Sequence, residues 1–294
     1  MYNAPQQVPG AEQGDDGGMT VFLFGPPGTR KTTWAAQWPG VVFISLAAEG
    51  GDDALGFYPE IAQRLINESQ IKECPPVFNA IQPNRFLCRT TKQVIESIDY
   101  ICANAQQLGI FTVCVDGLCY LVDLWIDEYI KHAEKNNPGW VRRVKKQGGD
   151  LLNMQEWGLI NMFLRSLRVK MQNAGLNVIW TTLSQEIYTQ QQGQQDRMLD
   201  RIVPMVPGKN RITLPGACKL HIYAEPTKIP SKTALGRMEM QPTFWTSPSS
   251  QVDLRHKYLD RFPQGCLMDP EFGKIPTFRA VWYVLHQFIY VGRR

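Results

Sequence analysis

No stretch of this 294-residue chain reaches the roughly 18 uninterrupted apolar residues of a membrane span, and even Val281 to Val291 is broken by His286 and Gln287. Its seven cysteines, Cys74, Cys88, Cys102, Cys114, Cys119, Cys218 and Cys266, contain no CxxC pair. An odd number of thiols lying mostly in apolar stretches argues for buried, reduced side chains rather than a disulfide framework or a metal cluster. Charge of one sign is scarce too: Lys plus Arg total 31 against 27 for Asp plus Glu, a formal net charge of +4. So mild a balance identifies no nucleic-acid partner by itself. Residues 1–18 are rich in Gln, Gly, Pro and Asp and lack a basic segment followed by an apolar one. They read as a flexible arm, not a signal peptide. With 44% hydrophobic and 20% charged residues and no internal repeat, the chain reads as a globular protein of the cytoplasm with no membrane partner.

What is present is an alternation of buried strands and helices. Val21 to Phe24 is a short apolar run, Gly25 to Arg30 a loop, and Lys31 to Gln37 the start of a helix. A second strand is expected at Val41 to Leu46. Thr90-Thr91-Lys92-Gln93 has the form of a capping box, and Val94, Ile95, Ile98, Ile101 and Ala105 follow at helical spacing up to Gly109. Ile110 to Val115 and Asn177 to Thr181 read as central parallel strands. Between them Trp157, Ile160, Leu164, Leu167 and Met171 mark one face of a crossover helix. This order implies an α/β fold with a mainly parallel sheet flanked by helices. Further on, Ile212 to Leu214, Lys219 to Ala224 and Arg237 to Phe244 read as added strands, and Pro276 to Val291 as a helix docked on the core.

The most specific signal is Gly25-Pro26-Pro27-Gly28-Thr29-Arg30-Lys31-Thr32-Thr33, placed after a strand and opening a helix. In such a phosphate loop, backbone N–H groups at a helix N-terminus cradle phosphate. Lys31 would reach the outer phosphates, and the Thr32 hydroxyl would hold Mg²⁺. The pattern takes Gly immediately before the lysine, whereas this chain has Arg30. A side chain there is expected to strain the backbone by roughly 1–3 kcal/mol and to weaken nucleotide binding and turnover. Three readings of Arg30 stay open: a degenerate ATPase, a variant whose guanidinium adds a phosphate contact, and an isolated substitution in a working site.

Val113-Cys114-Val115-Asp116 is an apolar strand ending in a carboxylate suited to hold Mg²⁺ through water. Glu49, just past the second strand, is the candidate for positioning the attacking water, because strand C-termini in an open parallel sheet converge on one crevice. At the end of the Asn177 strand, Thr182 or Gln185 is placed to sense the γ-phosphate. A Thr hydroxyl there also caps neighbouring backbone.

Taken in order, these residues resemble the RecA-like P-loop ATPases, and among them the phage-encoded single-strand annealing or recombination ATPases. The likeness rests on the Gly25 to Thr33 loop, Glu49-Gly50-Gly51, Val115-Asp116, Trp157-Gly158 and Asn177 to Thr182. Pro207-Gly208-Lys209, Leu214-Pro215-Gly216 and the Lys257 to Pro263 stretch extend it. Arg30, Gly117 and Leu183 depart from the pattern, which takes Gly, commonly Ser, and His or Gln at those places. The resemblance implies a core over residues 19–225 and a β-rich, helical extension over 226–294. It also implies an ATP- and Mg²⁺-dependent protein that binds single-stranded DNA as a ring or filament, in the host cytoplasm if phage-encoded.

DNA would then lie on two loops. The first, Asn136 to Gly149, combines Trp140 with Arg142, Arg143, Lys145 and Lys146; the second, Glu186 to Arg201, holds Tyr188, a glutamine cluster and Arg197. Cations release counterions from phosphates and an aromatic face stacks a base, although either segment also reads as a solvated surface. Two alternatives remain: an assembly module that binds DNA or partners without turnover, and a helicase or packaging motor. Arg165, Arg168, Arg255 and Arg261 are the candidates for an arginine acting on a neighbouring subunit.

Overall fold

The computed structural model describes residues 18–35, 38, 40–46, 85–146, 152, 154–189, 198–207, 210–230 and 238–245. Glu49, Arg197, Arg255, Arg261 and the helix expected at Pro276 to Val291 lie outside the described residues. Within them the strands are β1 (Thr20–Gly25), β2 (Val41–Leu46), β3 (Arg85–Cys88), β4 (Thr112–Asp116), β5 (Asn177–Thr189), β6 (Met198–Pro204), β7 (Leu220–Pro230) and β8 (Met238–Trp245). The helices are α1 (Lys31–Ala35), α2 (Thr91–Leu108), α3 (Leu118–Asn136), α4 (Trp140–Lys146), α5 (Met154–Asn173) and α6 (Asn210–Gly216).

The strands form one sheet in the order β3-β2-β4-β5-β1-β7-β8, with β6 paired to the outer half of β5. Every neighbouring pair from β3 to β7 is parallel, while β5 with β6 and β7 with β8 are antiparallel. A parallel sheet is buried on both faces, which is why its strands are continuous apolar runs without alternation. Phe22, Phe24, Val42, Ile44, Val113, Val115, Val178 and Trp180 point to the side covered by α2, α3 and α5. Val21, Leu23, Phe43, Cys114, Ile179 and Ile222 point to the other side, where Trp34, Trp38 and Phe244 cover them.

Local signals set the helix ends. The Thr90 hydroxyl accepts from the Gln93 N–H at 3.1 Å, and the Gln93 side chain accepts from the Arg89 N–H at 2.7 Å. The cap expected from the sequence is therefore in place, with the glutamine reaching one residue further back. Gly109, at φ 66°, closes the same helix in the left-handed conformation.

Three sequence expectations change. Ile212 to Leu214 is not a strand but part of α6. A strand would put Ile212 and Leu214 on one face, yet Leu214 is 4% exposed and Ile212 74%, as helical geometry requires for residues two apart. The first expected DNA loop contains α4, whose start is held by the Glu134 carboxylate accepting from the N–H groups of Gly139 and Val141. These two bonds hold the Glu134 carboxyl below its ordinary range. Of the second expected loop, the described residues at either end are paired strands, because β5 runs past the buried sheet and its outer, polar half pairs with β6.

Thr90→Ala removes the α2 cap and is expected to cost about 1 kcal/mol, read as a fall in thermal midpoint of about 2–4 °C.

Candidate functional site

The site forms where β1, β5 and β4 end side by side. Gly25 closes β1 where a Cβ would lie 2.0 Å from the Ala224 carbonyl oxygen on β7, so no side chain fits there. Gly28 takes a φ of +78° with open space around its missing Cβ. The Thr29 side chain is buried and its hydroxyl donates to the Pro26 carbonyl at 2.8 Å, bracing the turn. The Lys31 ammonium folds back over this loop, donating to the carbonyls of Gly25 at 2.9 Å and Pro26 at 2.8 Å and to the Thr29 hydroxyl at 3.3 Å. Thr33 follows within α1.

Arg30 is the one described non-glycine residue at positive φ, at 56°. The chain thus retains the left-handed backbone that glycine would adopt freely, and an arginine bears the strain. Its carbonyl accepts from the Trp34 N–H at 2.9 Å and so begins α1, while its side chain is exposed.

Asp116 ends β4 with only 3% of its surface exposed. Its Oδ2 accepts from the Thr32 hydroxyl at 2.9 Å and its Oδ1 from the Thr181 hydroxyl at 2.5 Å. Burial pushes the carboxyl above its ordinary value, while the Thr181 and Thr32 hydroxyls, the Arg85 guanidinium and the Lys31 ammonium pull it down. Next to it, Gly117 adopts φ +81° at the head of α3. A glycine in place of the commoner serine is therefore what this turn requires. In register with Asp116 on β2 is Ser45, whose buried Oγ has no hydrogen-bond partner among the described residues.

These features fit a nucleotide with its magnesium. The loop has the glycines and the lysine for phosphate. The carboxylate, the Thr32 hydroxyl and the unpartnered Ser45 hydroxyl are all oxygen donors, the ligands and water-binding groups Mg²⁺ takes. Lys31, Thr32 and Asp116 thus lie together where β1 and β4 end.

Thr181 is the member that sequence reasoning missed. The chosen neighbours behave differently: the Thr182 hydroxyl donates to the Met205 carbonyl at 3.4 Å, and Gln185 accepts from Arg211 at 3.4 Å. Gln185 lines a cavity of about 200 Å³ with Cys119, Asp123, Met205, Val206, Pro207 and Arg211. The signal for Thr181 was its position one step beyond Trp180, which pairs with Val115, one step before Asp116.

Among the proposed DNA residues, Arg142, Lys145 and Lys146 are exposed on α4 and Trp140 is half-buried. Arg143 donates to the Pro138 carbonyl and to the Asn137 side chain. Tyr188 is exposed on β5, its hydroxyl donating to Glu186. Arg168 donates to the Ala217 carbonyl at 2.6 Å, a contact within the chain, whereas Arg165 is exposed.

The AAA domain family model matches residues 17–255. The chain belongs to the AAA domain family. Its architecture is that of a RecA-like P-loop core, and an AAA-type P-loop ATPase domain implies nucleotide binding, typically with Mg²⁺. A solved KaiC-like protein from the hyperthermophilic archaeon Pyrococcus horikoshii OT3 is similar at 15% identity over 77% of each chain, with a TM-score of 0.37. No curated protein matches this chain. Among the described residues of this AAA domain, no helix is long and apolar enough to cross a membrane.

Two outcomes follow for this AAA domain. Arg30→Gly releases backbone strain while adding freedom to the unfolded chain, so stability should stay within about 1 kcal/mol. ATP–Mg²⁺ should bind several-fold tighter by calorimetry, and weaker binding would mean that the guanidinium contacts phosphate. Asp116 binds its proton more tightly when folded than when unfolded. Its contribution to stability is thus fully present below the ordinary value of 3.8 and is lost as the pH rises through the raised one. Asp116→Asn should therefore raise the metal-free melting temperature at pH 8 and lose that advantage as the pH approaches 4.

Proposed function

We propose that this AAA-domain P-loop ATPase is an ATP- and Mg²⁺-dependent protein of the phage recombination type that binds single-stranded DNA and anneals or exchanges strands, working as a homo-oligomeric ring or filament. The observation that carries the reading is the basic helix α4. It has no buried residue, and Arg142, Lys145 and Lys146 make no hydrogen bond or ion pair with any described residue. Such cations suit a phosphate backbone, and half-buried Trp140 offers a face on which a base can stack. The carboxylate of Glu134 fixes the start of α4 to α3, and α3 is capped by Gly117 beside Asp116. Helix α3 therefore links α4 to the metal end of the nucleotide site, which supports the reading.

In this function the chain's own groups have separate tasks. Lys31 offsets phosphate charge after leaving the carbonyls of Gly25 and Pro26. Thr32 and Asp116 would hold the ion, and Glu49 would orient the attacking water. Bound there, Mg²⁺ would neutralise the charge that develops on the phosphate oxygens during transfer. Tyr188, on β5, would extend the contact with the strand, and Arg197 would join it.

A specific observation favours a second reading. The strained Arg30 backbone fits a protein that binds DNA or partners without turning over ATP.

The test is binding of fluorescent oligo(dT) together with ATP turnover with and without the oligonucleotide. Reversing Arg142, Lys145 and Lys146 to Glu is expected to weaken binding by at least tenfold and to flatten its salt dependence, at about 0.7 in slope per lost phosphate contact. DNA-stimulated turnover supports the recombination ATPase. Binding without turnover supports the assembly module, and directional unwinding would indicate a motor. No DNA binding at low salt would refute the proposal.

A further inference from the structure

We infer that Thr181 is a positioning residue of the nucleotide site: held by the Gly117 N–H, it fixes the Asp116 carboxylate with one oxygen engaged and the other turned to Thr32. The inference rests on the P-loop reading and adds a residue to its metal end.

The hydrogen-bond directions are forced. The Gly117 N–H can only donate, and it donates to Thr181 Oγ1 at 3.0 Å. The hydroxyl's single proton is then left for Asp116 Oδ1. Thr32 occupies Oδ2 at 2.9 Å. The carboxylate is thereby held from both sides, and its plane is set before any ion arrives.

The fold explains why the residue on β5 does this. In the sheet β5 lies between β4, which ends in Asp116, and β1, which leads into the phosphate loop. Thr181 pairs with Leu23 of β1 and follows Trp180, the partner of Val115. It is 1% exposed, so water cannot replace its hydroxyl. Side-chain branching at Cβ adds stiffness, because a β-branched residue has few χ1 choices in a packed strand. One hydroxyl thus ties the carboxylate to the residue that caps α3.

Groups that orient a metal ligand without touching the metal typically change metal affinity or activity by 10–100-fold when removed. The experiment uses the intact protein and three variants. Thr181→Val keeps the shape and deletes both hydrogen bonds, Thr181→Ser keeps the hydroxyl, and Thr181→Cys substitutes a poor donor of similar size. The probes are Mn²⁺ binding to the ADP complex by electron paramagnetic resonance, nucleotide affinity in excess chelator, and the Mg²⁺ midpoint for turnover.

For Thr181→Val the Mn²⁺ dissociation constant should rise by about tenfold or more. Nucleotide affinity in chelator should change less than threefold, because Lys31 and the loop are untouched. Thr181→Ser should restore Mn²⁺ affinity to within threefold of the parent, which a merely structural role for the methyl group would not do. If the Val variant melts below the assay temperature, the Cys variant takes its place with the same expectation. A parent protein that binds nucleotide and Mn²⁺ normally, with Val and Cys variants indistinguishable from it, overturns the inference alone. A parent that binds no nucleotide overturns the P-loop reading as well.

Discussion

A carboxylate withdrawn from water at the end of a central strand must be met by donors or lose its charge. Asp116 is the place where this molecule faces that constraint, and its surroundings follow from it. Thr32 comes from the helix after β1, Thr181 from the strand between, and Gly117 turns the backbone sharply enough for its N–H to reach the Thr181 hydroxyl. None of these groups is useful alone. The parallel order β4-β5-β1 sets them within one hydrogen bond of each other, and the aliphatic faces of those strands keep solvent out.

The phosphate loop meets a different demand, that of backbone shape. Gly25 is imposed by the nearby Ala224 carbonyl and Gly28 by its positive φ, so their roles are steric. Arg30 shows the same demand from the other side: the backbone keeps the glycine conformation even though the residue pays for it. The loop geometry is therefore dictated by the neighbouring strands and helix more than by the residue at that position. The strain is local and leaves Lys31 and Thr32 in place to act on phosphate and ion.

The parts of this account that were legible in the sequence are those with a fixed local grammar. The glycine loop, the apolar strand ending in Asp116, the Thr90 cap and the stripe on α5 each lie within a short window, and each is where its pattern puts it. Thr181 was not legible, because its importance comes from strand register, and two adjacent threonines offer no local reason to choose the first over the second. The helix α3 went unread although Leu118, Leu121, Val122, Trp125 and Tyr129 lie at helical spacing; beyond Val122 it has no buried residue, so no apolar stripe marks its C-terminal half. Likewise α4 and the outer half of β5 read as loops because polar, exposed residues obscure periodicity when no core marks one face. Glu49 and Arg197 rest on sequence alone.

The central claim is that the buried Asp116 cluster and the strained loop together form a magnesium-dependent nucleotide site. Titration of the intact protein with a fluorescent ATP analogue, with Mg²⁺ and then with excess chelator, tests it most directly, with Lys31→Ala in parallel. The account predicts saturable binding that weakens markedly on chelation and is lost in the Lys31 variant. Binding that is indifferent both to Mg²⁺ and to Lys31, or no binding at all, would contradict it.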